Sequence, residues 1–179
     1  MDRSSSMPSQ FAYHQSEHRQ STYDGIPSPG DLHVYEGSLA VGFAGGAVPY
    51  HIACVFPGDS FADQCHSLAL HACRIACYTA DVLRGRLDPD RLRKVVTDEC
   101  LDRMRLMARL LDHHMLKDKR MLDSFTRMPV VPVWLNGMLV NPTSLEMDSA
   151  LTIGGVIYLS NVKLNRFGGI WKCTFADMG

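Results

Sequence analysis

From Ser144 to Phe175 the chain repeatedly alternates apolar and polar residues with a period of two, and this alternation limits the fold more than any other feature. Leu145, Met147, Leu151 and Ile153 are interleaved with Glu146, Asp148 and Thr152, the pattern of a half-buried strand. Gly154-Gly155 is a two-residue hairpin turn into a second strand, Val156 to Leu164. A longer loop, Asn165 to Gly169, leads to the closing strand, on which Trp171, Cys173 and Phe175 are expected to share one face. Upstream, Val131, Val133 and Leu135 mark a first strand, which Pro129 and Pro132 would confine to a sheet edge. Asn136-Gly137 and Asn141-Pro142 are turn signals. These segments predict a four-stranded antiparallel meander.

Before the meander the period is helical. Phe61, Cys65, Leu68, Ala72, Ile75, Thr79 and Val82 recur at alternating spacings of four and three, which is one face of a long helix. Ser60 and Asp63 resemble a capping box at its start, and Gly85 sits where a left-handed C-terminal cap belongs. Asp88-Pro89-Asp90 opens a second, short helix with a capping carboxylate and a proline in the first turn. Thr97-Asp98-Glu99 opens a third, whose seam is Leu101, Met104, Ala108, Leu111 and Met115, with Leu110 widening the stripe. Lys117, Lys119 and Arg120 follow at its C-terminal end. Three helices followed by strands predict an α+β fold with the helices on one face of the sheet.

The remaining sequence divides at about residue 48. Met1 to Gly30 is rich in Ser, Pro, Gln and His and has no apolar period. It cannot bury enough surface to offset its ordering entropy, so disorder is expected. The Gly42-Phe43-Ala44-Gly45-Gly46 cluster reads as a flexible connector and lacks the Gly-Lys-Ser/Thr ending of a phosphate loop. A short strand is open to Tyr50–Phe56. The expected division is therefore 1–48 as tail and connector and 49–179 as a single α+β domain.

Charge excludes one class of partner. Eighteen basic and nineteen acidic residues give a formal net charge of -1, and the bases lie among acids, so nucleic acid is not expected. Met1 to Gln20 lacks the apolar segment of a signal peptide, and the Leu39–Val48 run is too short to span a bilayer. With a cytoplasmic location expected, the six cysteines (Cys54, Cys65, Cys73, Cys77, Cys100 and Cys173) read as reduced and mostly buried.

The ending Gly169-Ile170-Trp171-Lys172-Cys173-Thr174, preceded by Arg91-Leu92-Arg93-Lys94-Val95-Val96-Thr97 and a further helix, resembles an uncharacterised actinobacterial family. Its members are short proteins with a low-complexity N-terminal tail and a C-terminal domain ending in a Gly-x-Trp-Arg-Cys-Thr-Ala-like strand. Here Lys172 replaces the usual Arg and Phe175 a small residue. The resemblance covers about Phe61 to Gly179 and carries no catalytic residues with it. Members are often encoded near the gene for the preprotein-translocase motor, which implies a secretion-related accessory role. The element order also resembles the cone of the nuclear-transport-factor-two and cystatin groups, in which helices close one side of a curved sheet.

Several constellations invite chemistry. His66, Cys73 and Cys77 lie on one helical stripe and are the candidate metal ligands. Their spacing is not that of paired zinc knuckles, a fourth ligand is missing, and cysteines packed as small core residues are the plainer reading. His66, His71 and His114 are candidate acid/base groups, although no nucleophile elbow, dinucleotide fingerprint or phosphate loop accompanies them. Glu146 and Asp148 are neighbours on one strand face, as solvated positions of a half-covered sheet would be. Trp171, Phe175 and Tyr158 are candidates to line a pocket or anchor a partner.

No cofactor is expected. The favoured reading is a non-enzymatic interaction or accessory module that binds a protein partner, with a homodimer through the sheet as one arrangement open to it. The alternative is a cone-fold enzyme or small-ligand binder with a pocket between helices and sheet. An enzyme would bring two ionisable side chains together inside an apolar pocket, whereas a binding module would have a filled interior and an exposed apolar patch.

Overall fold

The computed structural model describes residues 32–41, 46–56, 62–115 and 125–179. The expected tail, most of the glycine connector, the capping box at Ser60 and the basic cluster after Met115 lie outside these residues. Six strands form one sheet in sequence order: β1 (His33–Ala40), β2 (Ala47–Cys54), β3 (Val130–Asn141), β4 (Ser144–Ile153), β5 (Val156–Phe167) and β6 (Ile170–Met178). Between β2 and β3 the chain forms α1 (Ala62–Leu83), a 3-10 turn at Pro89–Leu92 and α2 (Asp98–Met115).

This architecture corrects the predicted four-stranded meander and the nuclear-transport-factor-two/cystatin-like cone. The meander β3–β6 exists, but β2 pairs in parallel with β3, and β1 pairs antiparallel with β2, which makes a six-stranded mixed sheet. A parallel pair requires a crossover connection, and the helical segment between β2 and β3 is that crossover. β2 has a clear period of two, with Val48, Tyr50, Ile52 and Cys54 all buried.

β3 is therefore an interior strand rather than an edge. Pro132 is tolerated because β2 reaches only Leu135 to Leu139, so the proline lies where that side of β3 has no paired neighbour. Asn136-Gly137 does not turn the chain but lies within β3. Gly137 is opposite Met147, whose thioether occupies the space where a Cβ would go, 2.8 Å from its built position. The turn comes at Pro142–Thr143, where Asn141 Oδ1 accepts the Thr143 N–H at 2.9 Å. Gly154 and Gly155 have φ of 60° and 83°, as their hairpin turn demands. The predicted loop before the last strand shortens to Gly168-Gly169, with β5 running on to Phe167.

α1 packs across the helix-side face of the sheet, touching β1, β3, β4, β5 and β6. Its buried face is built mostly of small residues (Ala69, Ala72, Cys73, Ala76, Thr79 and Ala80), which lets its backbone lie close to the sheet, in one core with Leu139, Leu151 and Val162. Leu101 and Met104 of α2 complete this core, whereas Leu110 is 56% exposed and does not widen the seam. Asp88 caps the 3-10 turn by accepting the Asp90 N–H at 2.9 Å. The segment before α2 binds β6 directly: Cys173 N–H donates to the Val95 carbonyl at 2.8 Å, and Thr97 N–H to the Cys173 carbonyl at 2.9 Å. Part of the β6 edge is thereby covered.

Candidate functional site

The interior is filled. Thirty buried side chains form one cluster drawn from β1 to β6, α1 and α2 among other segments. Two surface features stand out, one on each side of the sheet.

The first is a cleft of about 530 Å³ where α1 meets the β5–β6 turn. Gln64, Ser67, Leu68 and His71 reach it from successive turns of α1. Arg166, Gly169, Ile170 and Trp171 reach it from the other wall, with Arg166 and Trp171 opposite each other in the β5–β6 register. His71 Nε2 is buried and has no hydrogen-bond partner. Burial, then the neighbouring Arg74 charge, holds the His71 pKa below the usual imidazole range, so the ring is neutral near neutral pH. Two of the predicted candidates, His71 and Trp171, thus meet in one place.

The others do not join them. His66 is exposed and its ring sits edge-on to Tyr50, with centroids 5.7 Å apart. The His114 side chain lies outside the described residues. Tyr158 packs against Phe125, with centroids 5.4 Å apart, at the margin of the core. Phe175 is not on the same face as Trp171. Leu164 is opposite Cys173 and Lys163 opposite Phe175, so Thr174 is an extra residue and the bulge reverses the alternation. Phe175 instead lies under the Arg103 guanidinium, 4.5 Å from the ring centre.

The cysteines behave as core residues. Cys73 is buried one turn before Cys77 on α1, and among the described residues no group of three His, Cys, Asp or Glu side chains could hold a metal. Burial, then Cys54, pushes the Cys65 thiol up to about 11. The hydrogen bond shared with Cys100, 3.8 Å between sulfurs, and then burial raise the Cys173 pKa and keep its thiol protonated, and its Sγ lies 3.0 Å from the Phe175 carbonyl oxygen.

The second feature is the sheet face opposite α1. Val131, Trp134, Ile157 and Leu159 occupy its outward positions on β3 and β5, and Trp134 and Leu159 both flank Ala150. Val133, the unpaired residue of a bulge between Pro132 and Trp134, adds a fifth apolar side chain. Ile157 is 66% exposed, Leu159 55% and Trp134 38%. One row further along the strands the face becomes polar. His51, Asn136, Asp148 and Asn161 are aligned in register across β2 to β5 and line a groove of about 480 Å³. His51 Nδ1 lies 2.9 Å from Glu36, and Lys163 is paired with Glu146 at 2.8 Å, while Asp148 is exposed and has no ion pair among the described residues. This patch escaped sequence reading because Val131 and Val133 look like alternating core positions until the bulge is known.

Fold and surface together define an α+β protein with a six-stranded mixed sheet, a filled core and one apolar outer patch. No protein-family model matches this chain, and neither the curated proteins nor the solved structures contain a match. Among the described residues no helix is long and apolar enough to cross a membrane.

Proposed function

We propose that this chain is a non-enzymatic interaction module whose outer sheet face receives a short amphipathic segment of a partner protein. The observation that carries this reading is the exposed row of Trp134 and Leu159 beside Val131 and Ile157, on a sheet whose other face is already covered by α1. An aromatic anchor among aliphatic side chains is the usual centre of a binding surface. The patch crosses three strands, roughly 10 Å, and its apolar side chains offer on the order of a few hundred Å². That is short of the about 800 Å² per partner of a standard-size interface, so a segment suits it better than a second copy of the chain. Asp148, one row away, favours a partner with a basic residue about one helical turn from its apolar ridge. The secretion-related accessory role implied by the resemblance of the C-terminal strand is a compatible setting.

The test compares the whole chain with its Ile157→Asp and Trp134→Lys variants as baits, with folding monitored by far-ultraviolet circular dichroism. The expected result is a protein retained by the parent and lost from both folded variants, with binding then reproduced by a synthetic amphipathic peptide from that protein. Sedimentation of the parent alone provides a second check. Self-association abolished by Ile157→Asp would assign the patch to a second copy, and retention of every partner by both variants would refute the reading.

A further inference from the structure

The cleft between α1 and the β5–β6 turn lies on the opposite side of the sheet from the proposed docking patch and has a different chemistry. Among the described side chains lining it there is no acid. Its polar groups are Gln64, Ser67, His71, Arg166 and the Trp171 indole N–H. None of these side chains makes a hydrogen bond or ion pair with the described residues, and His71 Nε2 is buried without a partner. All five carry N–H or O–H donors, and Arg166 is a permanent cation. The remaining wall is apolar, formed by Leu68, Ile170 and the indole ring. Unsatisfied donors beside an aromatic face make a site for a ligand with one anionic end and a flat apolar body.

We propose that this cleft binds a small aromatic carboxylate, its ring against Trp171 and Ile170 and its carboxylate received by the Arg166 guanidinium. Arg166 is the selecting group because its planar fork matches a carboxylate with two parallel hydrogen bonds. Gln64 and Ser67, on α1, face the same space from the opposite wall and supply neutral donors. A volume of about 530 Å³ is in the range of small-molecule sites. Arg166 and Trp171 belong together because the two-residue Gly168-Gly169 turn holds them in register as a cross-strand pair. The site is independent of the outer face, so it stands or falls separately from the docking reading.

The probes are indole-3-acetate and phenylacetate, each beside its neutral amide, titrated into the whole chain and followed by the two indole N–H resonances. The acids are expected to shift the Trp171 resonance, leave that of Trp134 in place and bind about tenfold or more tighter than the amides, a difference one charged hydrogen-bonded contact supplies. Arg166→Gln, at an exposed position that leaves the fold intact, is expected to erase the difference between acid and amide. Trp171→Leu should weaken acid and amide alike. Equal binding of acids and amides by the parent would overturn the proposal. So would an unchanged acid preference in Arg166→Gln, or no shift of the Trp171 resonance at millimolar acid.

Discussion

Arg84 shows how much one side chain does in this fold. Its side chain is only 2% exposed, yet it is charged. It is paired with Asp81 one turn earlier on α1, and its Nη1 donates to the carbonyls of Phe125 and Met128. The guanidinium thus ties the end of α1 to the segment that leads into β3. Arg84→Met keeps most of the volume but removes these hydrogen bonds and the partner of Asp81. It should destabilise the protein by about 2–4 kcal/mol in urea unfolding. Arg84→Lys should recover only part of that loss, because an ammonium cannot reproduce the fork. A loss within error for Arg84→Met would mean that water replaces the contacts. The residue scale is also where sequence reading was weakest. Nothing in Lys172-Cys173-Thr174-Phe175 announces a bulge, so the side on which Phe175 lies could not be read. Asn136-Gly137 carries a strong hairpin signal that the packing of Met147 over Gly137 overrides.

At the scale of elements, legibility followed the period of the pattern. α1, the short turn after Asp88, α2 and the β4–β5 hairpin were legible because apolar spacing and caps agreed. β1 was not. Leu39 is its one fully buried residue, so an edge strand of this kind leaves almost no alternation to find. β2 does alternate, but its partner β3 lies far along the chain and only the fold brings them together. The 3-10 turn and α2 are joined by charge: Asp90 accepts from Arg105 and Arg93. The Arg105 hydrogen bond, then the Arg93 charge, holds the Asp90 carboxyl below its ordinary value of 3.8. A carboxyl depressed in the folded state adds stability above its unfolded pKa and loses it as pH falls through the folded value. Asp90→Asn should therefore lower the melting temperature at neutral pH, by a small and salt-sensitive amount because the group is exposed. The difference should shrink as pH falls through the folded carboxylate value. Thermal melts of parent and variant at neutral and strongly acid pH check this, and a difference that persists in full in acid would mean that the effect does not come from the Asp90 charge.

For the whole molecule, the sheet is a partition. α1 and the filled core occupy one side, and the aromatic cleft opens at the edge of that side. The opposite side shows Trp134 with Leu159. The two tryptophans are three strands apart in the sheet order, so strand spacing alone separates their backbones by roughly 14 Å. Their side chains also project from opposite faces: Trp134 is opposite Ala150, paired to Leu159, whereas Trp171 is opposite Arg166, three residues on from Lys163 and of opposite parity. Changes at sites more than about 10 Å apart with no shared neighbours add almost independently, within roughly 0.5 kcal/mol. The doubly substituted chain, Trp134→Lys with Arg166→Gln, should therefore lose segment docking to the extent of the first change alone and acid selectivity to the extent of the second. A double-mutant cycle read by both titrations measures the coupling directly. A coupling well above that limit would mean that β3 to β6 shift as one body when either side is occupied. The sheet would then be a transmitter rather than a partition, and the two ligands would change each other's affinity by the same factor.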